Sequence, residues 1–367
     1  MKSLIFGYGI TGRSFARYLR KKGIDFDIYD EKVKGPVRFL DDRSPPEVNI
    51  FWQLPDREKL ESYKIVYLSP GINIKKIYPN GEFYGIPRMT DLTIFFDEDH
   101  SYKIGITGTN GKSTFCHHLN QILDDSQLIG NIGNPVLDNI NTGCKYSIIE
   151  LSSFQLEKVY EIKLDLGVIL NITPDHIDYH GSFKEYSRVK NRIKESKFFT
   201  EESDPKKIWS IITNLHHETL SDFQFSNLPH RFESIDGLCN SFINDSKATN
   251  TASLEYALNK MSGDCYLILC GDPNKEQYKN YKIIGPKKVF IFGAHAREIY
   301  KRVSHPKKIL LHNNNLEYAM HLIKDDKDLD RSTSILFSPG HPSGNDYNHF
   351  EERGNHFKQL VQEIFCD

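Results

Sequence analysis

The chain has 367 residues, of which 38% are hydrophobic and 12% aromatic, enough apolar side chain for two or three cores and too much for an intrinsically disordered chain. Lys and Arg number 47 against 49 Asp and Glu, so the formal charge is −2 and no overall field attracts polyanions. We therefore expect no nucleic-acid partner. The six cysteines form no CxxC pair and are expected to be reduced thiols, while the glycine-broken start and the lack of a long apolar run predict neither secretion nor a membrane partner.

The N-terminal segment predicts a βαβ unit with a glycine turn. SLIFGYG is typical of a strand and turn, residues 11–23 of an amphipathic helix, and DFDIYD of a second strand. Gly7, Gly9 and Gly12 form GxGxxG, a turn that holds a diphosphate at a helix N-terminus. Taken alone, the pattern also fits a nicotinamide dinucleotide with Asp30 on its ribose, so an oxidoreductase remains open at this point.

Two further α/β segments follow. The acidic stretch 96–100 is expected to be a linker, and after it apolar strands alternate with helical patterns as far as a polar, poorly patterned region at 206–227. The alternation resumes near Pro229. The sequence therefore predicts an α/β protein with mostly parallel sheets. Its three expected domains are a Rossmann-like N-terminal domain (1–97), a central P-loop ATPase domain (98–228) and a Rossmann-like C-terminal domain (229–367).

The strongest chemical signal is the loop ITGTNGKST, which lies between a predicted strand and a predicted helix. Backbone N–H groups of such a loop cradle phosphates, Lys112 reaches the β and γ phosphates, and the Ser113 hydroxyl can ligate Mg²⁺. The loop departs from the strict GxxxxGK[ST] pattern because Ile106 occupies the first glycine position. The residues predicted to bind ATP here are Gly108, Thr109, Asn110, Gly111, Lys112, Ser113 and Thr114.

GTNGKST is the form of this loop found in the Mur ligase and folylpolyglutamate synthetase superfamily, and other phrases extend the resemblance. Over residues 2–365 the chain resembles the Mur ligase family, most closely its MurD branch, the UDP-N-acetylmuramoyl-L-alanine:D-glutamate ligases. The N-terminal GYGITG segment argues against folylpolyglutamate synthetase, which lacks it. The phrases that carry the resemblance are ELSSFQLE (150–157), NITPDHID (171–178), YSRVK (186–190), LPHRFE (228–233), NDSKATN (244–250), SPGHPS (338–343) and NHFEERG (348–354).

The resemblance implies an ATP-dependent ligase that joins D-glutamate to UDP-N-acetylmuramoyl-L-alanine through an acyl phosphate. It further implies a need for Mg²⁺, a role in cytoplasmic peptidoglycan precursor synthesis, and, as we expect, a monomer. The implied catalytic residues are Lys112, His176, Lys190 and Arg231, and the implied metal ligands are Ser113, Glu150, His176 and a carbamylated Lys190.

Residues for the three substrates are implied in the same way. Arg231 and Asp245 join the ATP site, Asn131 contacts the muramoyl side, and the other assignments fall on the two ends of the chain. The remaining implied UDP-substrate ligands are Ile10, Thr11, Asp30 and Ser69, and the implied amino-acid ligands are Lys247, Thr249, Lys275, Ser343 and Phe350.

Several alternatives stay open from the residues alone. Asp245 fits a helix cap as well as an ATP contact, and His176 with His180 forms an HxxxH pair that resembles half of a zinc site. The family's G-x-H-N-x-x-N element, which helps hold ATP, has no clear equivalent in 211–227, so the central domain is expected to be abbreviated. Rival functions are another Mur-type ligase with a different amino acid and a non-catalytic nucleotide-binding regulator.

Overall fold

The structure is a computed structural model that describes residues 2–32, 48–235, 240–275, 280–311 and 315–365, without the side chain of Lys275. The chain forms two compact units, residues 1–225 and 226–367. The first unit contains two five-stranded sheets and the second a six-stranded sheet with a small two-stranded one. In the described part of the chain, no helix combines the length and apolar character that a bilayer crossing requires.

The first sheet is parallel throughout, in the order β3-β2-β1-β4-β5. Its two longest strands are entirely buried, and the helix between them buries Phe15, Ala16 and Leu19 against the sheet. This helix ends in Arg20 and Lys21, whose charges complement the helix dipole. The elements are β1 (Ser3–Phe6), α1 (Ile10–Lys21), β2 (Phe26–Tyr29), β3 (Ile50–Phe51), α2 (Arg57–Glu61), β4 (Val66–Leu68), α3 (Ile74–Ile77), β5 (Arg88–Met89) and α4 (Asp91–Glu98).

The second sheet is also parallel, in the order β10-β9-β6-β8-β7. Its central strands carry continuous apolar runs because both faces of the sheet are covered. Ile106 pairs with Glu150 at the carboxyl edge, so the loop after β6 and the end of β8 are neighbours. The elements are β6 (Tyr102–Thr107), α5 (Lys112–Ile122), β7 (Ser126–Gly130), β8 (Tyr146–Glu150), α6 (Ser153–Lys158), β9 (Leu166–Ile169), α7 (Ile177–His180), α8 (Phe183–Asn191), β10 (Phe198–Thr200) and α9 (Pro205–Thr213).

One hydrophobic cluster connects the two sheets of the first unit. Phe15 from α1, Phe95 from α4 and Leu137 from the segment after β7 belong to the same buried core. At its edge the Arg17 guanidinium forms an ion pair with Asp138 at 2.5 Å. This shared core explains why residues 1–225 form one unit; their division into 1–97 and 98–228 stays a prediction.

Two predictions about irregular segments are wrong. Residues 96–98 continue α4 and are not part of a linker, because Phe96 is buried and Asp99 caps the helix end while it accepts hydrogen bonds from Ser101 and Asn141. The region 206–227 contains most of α9, whose Ile208 is buried in the core of the second sheet. Charged residues between the apolar positions obscured both patterns.

The second unit is built on the sheet β11-β12-β18-β13-β15-β17, parallel except for the β11–β12 pair. The α/β class with mostly parallel sheets is therefore confirmed. The elements are β11 (Glu233–Ile235), β12 (Phe242–Asn244), α10 (Thr251–Lys260), β13 (Cys265–Leu269), β14 (Tyr281–Lys282), β15 (Lys288–Ile291), α11 (Ala296–Arg302), β16 (Val303–Ser304), β17 (Lys308–Leu310), α12 (Leu316–Lys324), β18 (Ser334–Phe337) and α13 (Phe350–Phe365).

Candidate active site

The turn between β1 and α1 is held closed by short contacts. A Cβ atom on Gly12 would lie 2.1 Å from the Gly7 carbonyl oxygen, so only glycine lets the helix approach the turn this closely. Ser69 donates its hydroxyl hydrogen to the same oxygen at 2.7 Å, and the Tyr8 N–H donates to the Asp30 carboxylate at 2.6 Å. The predicted UDP ligands Ser69 and Asp30 thus also shape the turn.

This turn opens onto a cavity of about 850 Å³ in the first unit. Its lining includes backbone and side chains from β1–α1, from the loop after β4, and from the N-terminus of α6. The volume lies within the roughly 300–1,000 Å³ that small-molecule sites occupy. All five residues predicted to bind the UDP-sugar substrate line this one cavity, namely Ile10, Thr11, Asp30, Ser69 and Asn131.

Asp91, which was not predicted, also lines the cavity. It begins α4, is 3% exposed, and its Oδ1 atom has no hydrogen-bond partner in the described structure. Burial raises the pKa of this carboxyl to about 6, although hydrogen bonds from the Leu92 backbone and the Gln155 side chain oppose the shift. The cavity therefore contains an acid that is readily neutralised.

The glycine loop after β6 is fixed by the segment that follows β9. Asn171 accepts a hydrogen bond from the Asn110 N–H at 2.9 Å and donates its own amide to the Asn110 carbonyl at 3.0 Å. Thr109 donates its hydroxyl to the Thr173 carbonyl at 3.1 Å. Gly111 has φ +83°, which glycine adopts without strain. The loop is therefore preformed before any phosphate arrives.

Lys112 begins α5, whose first turn contains no acidic residue. Its ammonium donates to the Gly108 and Thr109 carbonyls at 2.7 and 2.9 Å, so it lies over the loop that it is predicted to serve. Ser113 is buried beside it. The helix N-terminus and the Lys112 charge together favour an anion at this point.

Glu150 lies at the carboxyl end of β8 and is 2% exposed. Its Oε1 accepts a hydrogen bond from the Asn131 side chain at 3.0 Å, whereas its Oε2 has no partner among the described residues. A buried, unsatisfied carboxylate oxygen beside a phosphate loop fits a Mg²⁺ ligand, since Mg²⁺ takes few carboxylates together with phosphate and water. Asn131, which donates to Glu150, also lines the first cavity, so it connects the Glu150 carboxylate with that cavity.

Lys190 lies beneath the glycine loop and is 2% exposed. Its ammonium donates to the Gly108 carbonyl at 2.8 Å and to the Thr107 hydroxyl at 3.2 Å. Burial and the nearby Lys112 charge lower the pKa of Lys190 well below its usual value, against the opposing carboxylates of Asp175 and Glu150. A buried amine that tends to lose its proton has the chemistry that carbamylation requires.

His176 precedes α7 in a left-handed conformation with φ +51°. Its ring lies 3.5 Å from the Asp175 carboxylate and packs edge-on against Phe154 with ring centres 4.9 Å apart. His180, the second member of the HxxxH pair, instead places Nε2 3.0 Å from the Ser153 hydroxyl. In the described ranges no three His, Cys, Asp or Glu side chains gather as a metal site would, so the zinc alternative gains no support.

In the second unit, Arg231 lies between two residues with positive φ, His230 and Phe232. Asp245 holds this turn by accepting the Phe232 N–H at 3.0 Å, and its other oxygen accepts the Ser338 hydroxyl at 2.8 Å. Burial raises the pKa of Asp245 to about 6. The helix-cap alternative for Asp245 is not what the structure shows, since Asn250 caps α10.

Two of the residues predicted to bind the amino acid are in contact. The Lys247 ammonium lies 3.6 Å from the centre of the Phe350 ring, a cation–π pair. Ser343 is buried and Thr249 half-buried, whereas the side chain of Lys275 lies outside the described part. Positions of these residues relative to a bound amino acid stay predictions.

Two supporting residues were missed as site residues although both stand in the quoted phrases. Asn171 braces the phosphate loop, and the signal for it is a polar amide directly after an apolar strand. Arg353 is fully buried and donates to the Ser246 carbonyl at 2.7 Å and the His341 carbonyl at 3.1 Å. An arginine on the apolar face of a helix was the available signal for Arg353.

Comparisons with known proteins identify relatives of this chain. A model of the Mur ligase middle domain matches residues 106–220, and one of the Mur ligase MurD-like N-terminal domain matches residues 1–78. The UDP-N-acetylmuramoylalanine–D-glutamate ligase of Buchnera aphidicola subsp. Schizaphis graminum is 32% identical, over 99% of this chain and 98% of its own. The ligase of the same name from Thermotoga sp. (strain RQ2) is 29% identical over the same shares.

A solved structure supports the fold. The MurF ligase of Thermotoga maritima, crystallised with ADP, superposes with a TM-score of 0.57 at 11% identity, over 98% of this chain and 95% of that one. The alignment with the Buchnera ligase runs over 440 positions although this chain has 367 residues. Segments of that relative therefore have no counterpart here.

Proposed function

This chain belongs to the Mur ligase family of ATP-dependent ligases, and we propose that it joins D-glutamate to UDP-N-acetylmuramoyl-L-alanine in the cytoplasm. The observation that carries the proposal is the connection between the substrate cavity and the phosphate loop within one unit. Asn131 lines the cavity and donates to Glu150, which ends the strand beside the loop. A substrate in the cavity would thus extend its carboxylate toward the ATP phosphates.

The cavity supplies the UDP end of the substrate site. Backbone N–H groups at the start of α1 suit the diphosphate, because a helix N-terminus stabilises negative charge. Lys32 and Lys76 line the same cavity and add positive charge. The N-terminus of α6 also lines the cavity and would direct the muramoyl group toward Asn131.

The phosphate loop supplies the ATP site. Lys112 would exchange the Gly108 and Thr109 carbonyls for phosphate oxygens, with little rearrangement of a loop that Asn171 already fixes. Ser113, Glu150 and His176, with carbamylated Lys190, would hold Mg²⁺, and the unpartnered Oε2 of Glu150 fits that role. Bound Mg²⁺ would neutralise charge on the ATP oxygens.

The chemistry follows from the poor reactivity of a carboxylate toward an amine. The L-alanyl carboxylate attacks the γ-phosphorus of ATP, the bond to the β-γ bridging oxygen breaks, and ADP leaves with that electron pair. The amine of D-glutamate then attacks the acyl phosphate, releases phosphate, and loses a proton as the amide forms. Such transfers depend mainly on positioning and charge stabilisation, which Lys112 and Arg231 would provide.

The second unit would deliver the incoming amino acid. Lys247 offers a cation for a glutamate carboxylate beside Phe350, and Arg353 fixes the surrounding backbone. Thr249, Lys275 and Ser343 complete the proposed set, while Arg231 and Asp245 would contact ATP. We propose that the chain acts as a monomer.

The test is phosphate release from Mg-ATP with UDP-N-acetylmuramoyl-L-alanine present, comparing D-glutamate with L-glutamate, L-alanine, L-lysine and meso-diaminopimelate. Stimulation by D-glutamate alone, with the dipeptide product seen by mass spectrometry, is the expected result. Stimulation by another amino acid would identify a different Mur-type ligase. No stimulation by any of them would overturn the ligase proposal and favour a nucleotide-binding regulator.

A further inference from the structure

The first unit has a second cavity, of about 450 Å³, that the proposed reaction does not use. It is lined by the β5–α4 segment and by the C-terminal ends of α6 and α8, and it shares no lining residue with the substrate cavity. Basic residues outnumber acidic ones in its lining. Four basic residues (Arg88, Lys158, Arg188 and Arg192) face a single acid, Glu157.

The one carboxylate is already paired. Glu157 lies 3.1 Å from the Lys75 ammonium, and Lys75 does not line this cavity. Glu157 also lies 3.9 Å from the Lys158 ammonium, so it is shared between a cation inside the cavity and one outside it. Four cations in the lining thus share one carboxylate.

Carboxylates outside the cavity lining compensate part of the charge of the basic residues. Arg88 is exposed and has no hydrogen bond or ion pair with another described side chain. Arg192 donates to the carbonyls that end α6 and the next turn, at 2.6–2.9 Å, and meets Glu195 only at 3.3 Å. Arg188 is exposed and donates two hydrogen bonds to the half-buried Glu185, at 2.8 and 2.6 Å.

Lys158 is the most enclosed of the four. Its ammonium donates to the Pro70 carbonyl at 2.6 Å and the Tyr179 hydroxyl at 2.7 Å, both neutral, with Glu157 at 3.9 Å. Burial lowers the pKa of this lysine to about 8. An anion in the cavity would stabilise its charged form.

We propose that this cavity is a second anion site that binds a phosphate-bearing small molecule. Concave surfaces on which cations outnumber acids concentrate anions, and an arginine fork such as that of Arg88 matches phosphate oxygens. The volume accommodates a ligand larger than inorganic phosphate. Tyr160, 92% exposed, lies in the lining and can stack on the ring of a nucleoside. The site is independent of the ligase reaction.

The experiment is calorimetric titration of the full chain with sodium phosphate, pyrophosphate and uridine monophosphate. Arg88→Met and Arg188→Met remove two exposed cations and leave the core intact; Arg331→Met, an exposed arginine of the second unit, is the matched control. We expect the double variant to lose one binding event per chain, with each single variant binding about tenfold more weakly, as when one charge-assisted hydrogen bond is lost. Arg331→Met should match the wild type.

The first cavity and the phosphate loop would also bind anions, and both are unchanged in these variants. Binding at the second cavity is therefore measured as the difference between each variant and the wild type. A double variant that titrates like the wild type with all three probes would overturn the proposal. Tyr160→Ala separates two sources of the phosphate group. Weaker binding of uridine monophosphate alone would identify a nucleoside phosphate, and equal binding of all probes would identify the phosphate group by itself.

Discussion

The first unit contains two strand–glycine–helix turns that share a backbone design and differ in charge. Both place a glycine with positive φ at the turn, Gly7 before α1 and Gly111 before α5. The first is closed by a carboxylate, Asp30, and the second by an ammonium, Lys112, with Lys190 beneath it. We propose that the first turn binds a diphosphate without reacting with it and that the second assists phosphoryl transfer. The side chains around each turn, and not the backbone, would account for this difference.

The largest effect is expected at the ammonium of the second turn. Lys112→Met should lower the ligation rate by about 100- to 1,000-fold, as when a preorganised charge donor is removed. Binding of UDP-N-acetylmuramoyl-L-alanine, measured by calorimetry, should stay within about twofold, because the first turn is untouched. Lys184→Met, an exposed lysine on α8, is the control. More than a tenth of the wild-type rate in Lys112→Met would end the assignment.

Lys190→Met tests whether the second turn needs a second amine. The substitution keeps the length of the side chain but removes the hydrogen bonds to Gly108 and Thr107. We expect the ligation rate to fall by about 100-fold with the UDP-substrate affinity retained, since methionine cannot form the carbamate that is proposed to hold Mg²⁺. Mass spectrometry under bicarbonate would detect a carbamate in the wild type. Equal loss of substrate affinity and rate would indicate a structural role instead.

Gly12→Ala tests the packing of the first turn. Its Cβ would overlap the Gly7 carbonyl, so we expect roughly 1–3 kcal/mol of lost stability and weaker UDP-substrate binding. Both tryptophans, Trp52 and Trp209, lie in the first unit, so their fluorescence during urea unfolding reports on it. Gly9→Ala is the matched control, because a Cβ there meets no atom within 4 Å. Equal stability of the two variants would contradict the packing argument.

The last effect is confined to acidic pH and concerns Asp91, an acid of the first cavity. Its folded pKa of about 6 lies above the unfolded value near 3.9, so the folded state binds more protons between them. Stability should therefore fall as pH rises from about 4 to 6, by up to roughly 3 kcal/mol at this fully buried group. Asp91→Asn should flatten that dependence in tryptophan-detected urea unfolding. A variant with the wild-type slope would refute the assignment.

The sequence predicted what depends on local pattern. Strand–glycine–helix junctions have a fixed order of residue types, so the loop 108–114 and the turn at 7–12 are recognisable from their residues alone. Apolar runs likewise predicted the buried strands β6, β8 and β13. The resemblance supplied Asn131 and Ser69, which lie far apart in the chain yet line one cavity.

Long-range contacts were not predictable. Nothing local marks Asn171 as the partner of Asn110, since the hydrogen bonds arise from two parallel strands ending at one edge. The burial of Asp91 and the extent of α9 depend on neighbours distant in sequence. Lys206 and Lys207 hid the helical pattern of α9, because the Lys206 ammonium is held by the distant Ser221 and Phe223 carbonyls and no local pattern shows this.

The hydrogen bond from Asn131 to Glu150 has a thermodynamic consequence. One end of this amide lies in the substrate cavity and the other holds a carboxylate beside the phosphate loop. If a substrate in the cavity changes that hydrogen bond, the affinity of the phosphate loop for ATP changes with it. Thermodynamic linkage then requires ATP to change the affinity of the cavity for its substrate by the same factor. The cooperativity between the two substrates would then depend on a single side chain.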